Sequence, residues 1–316
     1  MEAQPPQFAL VVPLYKSEAC IPSLLRALDG LSVHSSGRLQ VVFVDDGSPD
    51  GSYLAVRAGL ENRPWAWKIV RHSRNFGAFE AIRTGLAHTE GDFVAVMAAD
   101  LQEPPELVLG FFSVLATGQA QIVIGRRIAR HDPFLTRLSS GVFWWLYRRF
   151  INPAVPQGGV DIFGCTRQVA VMLASLRETH SSLLGQLFWV GFQREFVDYS
   201  RQARASGASA WTLARKLNYM ADSVFAFTDL PLRLLTAAGF LGLAGCFVVG
   251  TITLLARLVG WIHEPGYTPL ILAIAASTAS ILFALGIVGS YVWRAYENTK
   301  GRPVSIVATI EPGPPL

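Results

Sequence analysis

Gly91-Asp92-Phe93-Val94-Ala95-Val96-Met97-Ala98-Ala99-Asp100-Leu101-Gln102-Glu103-Pro104-Pro105-Glu106 joins an apolar run to a charged turn. Phe93 to Met97, rich in Val, has the make-up of a strand buried on both faces. It ends at a carboxylate, Asp100, with an amide at Gln102. Pro104 and Pro105 stop the strand and suit the first turn of a helix. In open α/β sheets, ligands bind at the carboxyl ends of the strands. An Asp there, with an oxygen ligand two residues on, can hold a hard cation and through it a diphosphate. The competing reading is an ordinary helix N-cap Asp.

Four other segments repeat this pattern. Phe8 to Pro13 is a buried strand, and Ser17 or Glu18 can start a helix with Ile21, Leu24, Leu25, Leu28 and Leu31 at helical spacing. Leu39 to Val44 is a strand that runs into Asp45-Asp46-Gly47-Ser48-Pro49-Asp50. Adjacent carboxylates at a strand end are costly unless solvated or bound to donors. The doubled Asp separates this segment from a common capped turn. Trp67 to Val70 leads to Arg71-His72-Ser73-Arg74-Asn75-Phe76-Gly77 and a helix from about Ala78 to Ala87, whose N-terminal amides favour anions. Gln121 to Gly125 delivers Arg126 and Arg127. Five β-α units predict a doubly wound sheet.

Beyond them the character changes. Phe134 to Phe150 places Leu135, Leu138, Val142, Trp145 and Leu146 on one face, flanked by Trp144, Tyr147, Arg148 and Arg149. That describes a helix in a membrane interface or a core-packed amphipathic helix. Asp161 lies between glycines and apolar neighbours. A short strand precedes Asp198-Tyr199-Ser200-Arg201-Gln202-Ala203-Arg204, where two arginines can clamp a phosphate or form a solvated basic loop. Trp211 to Phe227 reads as another amphipathic helix. Leu234–Leu258 and Pro269–Trp293 each reach the ~20 residues that cross hydrocarbon. Arg233 precedes the first run, and Arg294, Lys300 and Arg302 follow the second, so both ends are expected in the cytoplasm. The tail from Ile306 to Leu316 is short and ends Pro-rich.

Composition agrees with a membrane-associated chain. Hydrophobic residues make up 51% of 316, concentrated after Leu234, and the mean hydropathy is +0.34. A net charge of +4 without a Lys/Arg tract points to a membrane surface and away from nucleic acid. Cys20, Cys165 and Cys246 are odd in number and far apart, which fits a reducing compartment. Met1 to Gln7 is polar and does not read as a signal peptide.

Val12-Pro13-Leu14-Tyr15, Val44-Asp45-Asp46-Gly47-Ser48, Arg74-Asn75-Phe76-Gly77 and Ala99-Asp100-Leu101-Gln102-Glu103-Pro104-Pro105 occur in that order. The combination resembles the inverting nucleotide-sugar glycosyltransferases of family 2. More narrowly it is similar to the polyprenyl-phosphate branch: dolichol-phosphate mannose synthases and bacterial undecaprenyl-phosphate glycosyltransferases. The likeness continues through Gly125-Arg126, Asp161, Arg201 to Trp211, Gly286-Ile287-Val288-Gly289 and Lys300-Gly301-Arg302-Pro303. It implies an α/β GT-A (Rossmann-like) mixed sheet with interfacial helices and a C-terminal two-helix transmembrane hairpin. The implied division is a catalytic domain over 1–210, a juxtamembrane helix over 211–232, two spans over 233–294 and a cytoplasmic tail over 295–316. The implied setting is a bacterial inner membrane, with both termini and the catalytic domain cytoplasmic, in a homo-oligomer such as a tetramer.

The implied reaction moves one sugar from a UDP- or GDP-hexose to undecaprenyl or dolichyl phosphate for cell-envelope glycan modification. Pro13, Tyr15, Glu18, Asp45, Asp46, Gly77, Ala99 and Asp100 would line the donor site, with Asp45 and Asp46 at the base and ribose. Asp100 and Gln102 would bind Mg²⁺ or Mn²⁺. Arg126, Arg127, Arg201 and Arg204 would receive the acceptor phosphate. Asp161, Asp100 and Arg126 would be catalytic, Asp161 more as an orienting group than as a base. Two positions depart from the family pattern: Ala98 stands where an acidic residue is frequent, and Lys16 where Asn is frequent. Gln186-Leu187-Phe188-Trp189 does not match the Gln-x-x-Arg-Trp of processive synthases, which argues for a single transfer. Two other readings stay open. One is a glycosyltransferase with a lipid hydroxyl as acceptor; the other is a non-catalytic scaffold whose donor site has decayed at Ala98.

Overall fold

The computed structural model describes residues 7–61, 63–129, 162–179, 181–200, 213–261 and 267–314, with 141, 145, 147–149, 152–156 and 160 between them. Strands β1 (Phe8–Leu14), β2 (Leu39–Asp45), β3 (Ala66–His72) and β4 (Phe93–Val96) form its parallel centre. Every residue of β2 is buried, as its run of β-branched and aromatic side chains requires. Helices α1 (Ile21–His34), α2 (Ser52–Gly59), α3 (Ala78–Ala87) and α4 (Glu106–Ala116) alternate with them. Helix α1 buries the five apolar positions whose spacing predicts it. It starts later than expected: Glu18–Cys20 is a 3₁₀ turn, and Pro22 occupies the first α-helical turn.

The chain continues through β5 (Ile122–Ala129), β6 (Phe163–Thr166), α5 (Arg167–Ser175), α6 (Leu183–Trp189) and β7 (Arg194–Ser200). A last strand, β8 (Val307–Pro312), closes the sheet in the order β7-β5-β6-β4-β1-β2-β3-β8. Strand β6 runs antiparallel to β4 and β5, and β8 antiparallel to β3, so the sheet is mixed. Alternate residues of β1 face opposite layers. Leu10, Val12 and Leu14 pack with α1 and α4. Ala9 and Val11 pack with Leu86 of α3, Val169 and Leu173 of α5, and Leu187 of α6. Each such buried Leu or Phe contributes roughly 1.5–3 kcal/mol.

The structure refines the reading at three places. Strand β5 does not stop at Gly125: it runs to Ala129 because β7 pairs alongside it, with Arg126 opposite Asp198 and Arg127 opposite Tyr199. Asp198 therefore lies inside a strand and not beyond one. Of the two readings of the 134–150 stretch, Tyr147 follows the core-packed one, fully buried with Val155 in the second core, while Trp145 is exposed. An amphipathic pattern alone does not say whether its apolar face meets lipid or protein. The other residues of that stripe lie outside the described residues. The tail, finally, is an edge strand.

The chain forms two compact units, Met1–Tyr219 with Arg302–Leu316, and Met220–Gly301. The second contains most of α7 (Leu213–Phe227), then α8 (Leu230–Leu258) and α9 (Tyr267–Thr299). Within these helices, Leu230–Ile252 (23 residues, mean hydropathy 1.9) and Ala276–Thr299 (24 residues, 1.5) are long and apolar enough to cross a membrane. Thr236, Thr251, Thr278, Ser280 and Ser290 each donate to the carbonyl four residues back. Arg294 pairs with Asp222 at 2.8 Å and lies over the Phe225 ring.

Candidate active site

Parallel pairing brings the carboxyl ends of β1 to β4 to one edge. The chain goes from β1 to β2 on one side and returns to β4 on the other, so the switch point of the sheet lies between β1 and β4. Lys16, beyond β1, and Leu101, beyond β4, have φ of +54° and +51°. A left-handed non-glycine residue costs about 1–2 kcal/mol, and such strain is retained mainly where function needs it. Tyr15 is an exposed aromatic at the tip of β1.

The doubled Asp is divided between two tasks. Asp45 ends β2, fully buried; its carboxylate accepts from Arg71 Nε at 3.2 Å and from the Ser48 amide at 3.3 Å. The Arg71 guanidinium also lies over the Tyr53 ring. Asp46 faces inward. Its Oδ1 accepts from the Phe76 amide, its Oδ2 from the Gly77 amide, each at 2.8 Å, and His72 Nδ1 also lies 2.8 Å from Oδ1. Asp46 thus holds the Arg74–Gly77 turn. Gly47 allows the two turns to touch: a Cβ there would lie 2.5 Å from the Arg74 carbonyl carbon, and its φ is +62°. Gly77, with φ of +102°, precedes α3. Glu18 accepts from the Gly51 amide at 2.9 Å and so fixes the start of α2. Pro13 is half-buried within β1 and Ala99 is buried after β4.

At β4, Asp100 Oδ1 lies 3.4 Å from the Gln102 amide, and Gln102 and Glu103 are buried behind the turn. Among the described residues there is no group of three or more His, Cys, Asp and Glu able to cage a metal. One carboxylate at a sheet edge fits a different kind of site. A small hard cation is commonly held by one or two carboxylates and completed by substrate phosphates.

On the far side of β4, Arg126, the arginine expected to receive a phosphate, is paired with a carboxylate. Its Nε and Nη2 donate to the two oxygens of Asp198 at 2.5 and 2.9 Å, across the β5–β7 pair. Each partner holds the other ionised: Asp198 raises the Arg126 pKa, and Arg126 holds the Asp198 carboxyl below the usual range. Both side chains are about half exposed. Arg127 follows on the strand, half-buried. Asp161, Arg201 and Arg204 lie outside the described residues.

Residues 9–179 match Glycosyl transferase family 2. The chain belongs to this family. It is 34% identical to a putative glycosyltransferase, CsbB, of Bacillus subtilis (strain 168), over 84% of this chain and 80% of the relative. It is 27% identical to the bactoprenol glucosyl transferase of Shigella phage SfX, over 94% and 97%. Among solved structures, glucosyl-3-phosphoglycerate synthase of Mycobacterium tuberculosis, in complex with Mn²⁺, UDP-glucose and phosphoglyceric acid, aligns with a TM-score of 0.53 at 20% identity. That alignment covers 69% of this chain and 79% of the other and bears on the fold alone. The mixed sheet is the GT-A, Rossmann-like sheet that the resemblance implies, and the protein is a transferase.

In this glycosyltransferase several polar residues carry the edge to which the sequence alone assigns no role. Arg71 and Tyr53 surround Asp45, His72 and Thr84 stand behind Asp46, and Asp198 occupies Arg126. Asp198 heads a basic segment, which is a weak signal. Its partner follows only from the pairing of β5 with β7.

Proposed function

We propose that the protein transfers a single sugar from a nucleoside-diphosphate hexose to a polyprenyl phosphate, with inversion, at the cytoplasmic face of a membrane. The observation that carries this reading is the pairing of a family 2 sheet edge with two apolar helices. The relative named for transfer to bactoprenol aligns over nearly the whole chain, helices included. The chain leaves the catalytic unit once and returns to it after both helices, so an even number of crossings keeps both ends on one side. The cationic residues Arg233, Arg294, Lys300 and Arg302 flank the apolar runs and set that side as cytoplasmic.

In this reading, Tyr15 and Asp45 meet the base and ribose. Asp46 acts through the turn it holds, in place of the ribose contact that the resemblance implies. Asp100, with Gln102 behind it, holds Mg²⁺ or Mn²⁺, which when bound neutralises charge on the departing diphosphate. Arg126 and Arg127, with Arg201 and Arg204, receive the lipid phosphate. Asp198 keeps the Arg126 guanidinium extended until that phosphate takes its place. A phosphate monoester is largely ionised at neutral pH, with its second pKa ~6. It attacks without a strong base, and Asp161 orients it. Strand β6, which follows Asp161 in the chain, begins beside the carboxyl end of β4.

Purified protein, labelled UDP-glucose or GDP-mannose, Mn²⁺ and undecaprenyl phosphate test the reading together. The expected product is an acid-labile sugar phosphodiester that depends on both metal and lipid phosphate. An acid-stable glycolipid in membranes would move the acceptor to a hydroxyl, and transfer that proceeds without metal would remove the cation site at Asp100.

A further inference from the structure

Behind the edge, a buried polar chain links the Arg74–Gly77 turn to the tail. His72 is buried. Its Nδ1 lies 2.8 Å from Asp46 Oδ1 and its Nε2 lies 2.9 Å from Thr84 Oγ1. Thr84 Oγ1 is 3.0 Å from the hydroxyl of Ser305. A carboxylate only accepts, so Nδ1 carries the proton toward Asp46. In the neutral ring Nε2 then accepts from Thr84, whose oxygen accepts from Ser305. The donor relay runs Ser305, Thr84, His72 and ends on Asp46, the acceptor that also takes the Phe76 and Gly77 amides.

Ser305 stands just beyond Lys300-Gly301-Arg302-Pro303, where the chain comes back from the apolar helices. The tail is anchored beside it. The Ile306 carbonyl accepts from the Ser73 amide at 2.9 Å. Glu311 accepts from Tyr53 and pairs with Arg57. The β3–β8 ladder is irregular at this point: Arg71 pairs with Thr309 and His72 with Val307, so Ala308 is skipped. A bulge re-aims side chains and is common beside active sites. No local requirement of β3 explains a histidine buried between a carboxylate and a threonine; a bridge between two separate turns does.

We infer that His72 is a positioning residue which, with Thr84 and Ser305, ties the donor turn Arg74–Gly77 to the segment returning from the apolar helices. The inference rests on the reading of this edge as the donor side. The tail then has a function beyond covering the β3 edge: it sets how firmly the Phe76 and Gly77 amides are held, and with them the turn that meets the nucleotide.

Hydrogen exchange on the full chain in lipid nanodiscs, with UDP-glucose binding measured on the same samples, tests the link. Ser305→Ala, Thr84→Val and His72→Gln are each expected to speed exchange at Phe76 and Gly77 by about five- to ten-fold, the worth of one lost hydrogen bond. Exchange at Leu10 to Val12 in β1 stays as in the parent, and Ser305→Thr restores slow exchange at the turn. UDP-glucose affinity falls by a similar factor, while the KM for undecaprenyl phosphate is unchanged. Unchanged exchange at Phe76 and Gly77 in Ser305→Ala overturns the inference, as does a rise that is equal throughout the sheet. Ser305 is at the outer end of the relay, so this variant decides the matter even if His72→Gln fails to fold. Faster exchange in a protein that binds no nucleotide sugar would leave the relay standing and remove the donor reading.

Discussion

The two halves of the sheet edge handle charge in opposite ways. On the β1–β2–β3 side, Asp45 and Asp46 are buried and have their hydrogen bonds made inside the protein, from backbone amides, Arg71 and His72. On the β5–β7 side, Arg126 and Asp198 face water and each other. A buried, satisfied network is costly to break because every partner left behind is unpaired. An exposed ion pair adds little to stability and can be exchanged for another anion at little cost. The first half is therefore built before any ligand arrives, and the second is built to change partners. A rigid nucleotide and a lipid phosphate carried on a mobile isoprenoid call for these two kinds of site.

Asp100 stands at the seam, and its substitution should have the largest effect. Asp100→Asn keeps the shape of the turn and removes the charge. We expect transfer to fall by about 10²–10³-fold, the range for losing one group that stabilises developing charge, with the thermal midpoint unchanged. Steady-state transfer with saturating Mn²⁺ checks it. Retention of more than a tenth of the parent rate would mean that Asp100 only caps its turn.

Asp46→Ala separates the halves by stability. It strands two amides and the His72 ring, and each buried orphan costs about 1–3 kcal/mol. A loss on the order of 3 kcal/mol is expected from denaturant midpoints, together with weaker donor binding. Asp198→Ala in the same assay should leave the midpoint where it was. Equal losses in the two variants would abolish the division between a built half and an exchangeable one.

The parallel centre and its motifs can be read from the chain because their signals are local. The Val-rich runs of β1, β2 and β4, the spacing in α1, and the turns after each strand all lie within a few residues of one another. The doubled Asp marks an edge, but both carboxylates are buried, and the side chains that satisfy them, Arg71 and His72, come from the neighbouring strand β3. What could not be read depends on partners far away in sequence. Strand β8 has six residues and no alternation of its own; only the open edge of β3 makes it a strand. The extension of β5 over Arg126 and Arg127 needs β7, nearly seventy residues on in the chain. His72 looks like one more polar residue in a turn until Thr84 and Ser305 are set beside it.

The smallest expected effect probes the exchangeable half directly. If Asp198 holds the Arg126 fork until a phosphate displaces it, Asp198→Asn removes a competitor. The KM for undecaprenyl phosphate should then fall by about three-fold, a fraction of one charge-assisted hydrogen bond, with the donor KM unmoved. The pH dependence has a definite sign. The hydrogen bonds from Arg126 hold the Asp198 carboxyl below the usual carboxylate range, so the pair stays ionised to lower pH than an ordinary carboxylate would allow. The gap between parent and variant therefore persists as pH falls toward that range, and closes only below it, once Asp198 takes a proton and releases the guanidinium. The second proton of the acceptor phosphate binds well above that range and affects both proteins alike. A KM that rises in Asp198→Asn would reverse the assignment: Asp198 would then be the residue that aims Arg126 at the acceptor, and the β5–β7 half would be as pre-set as the other.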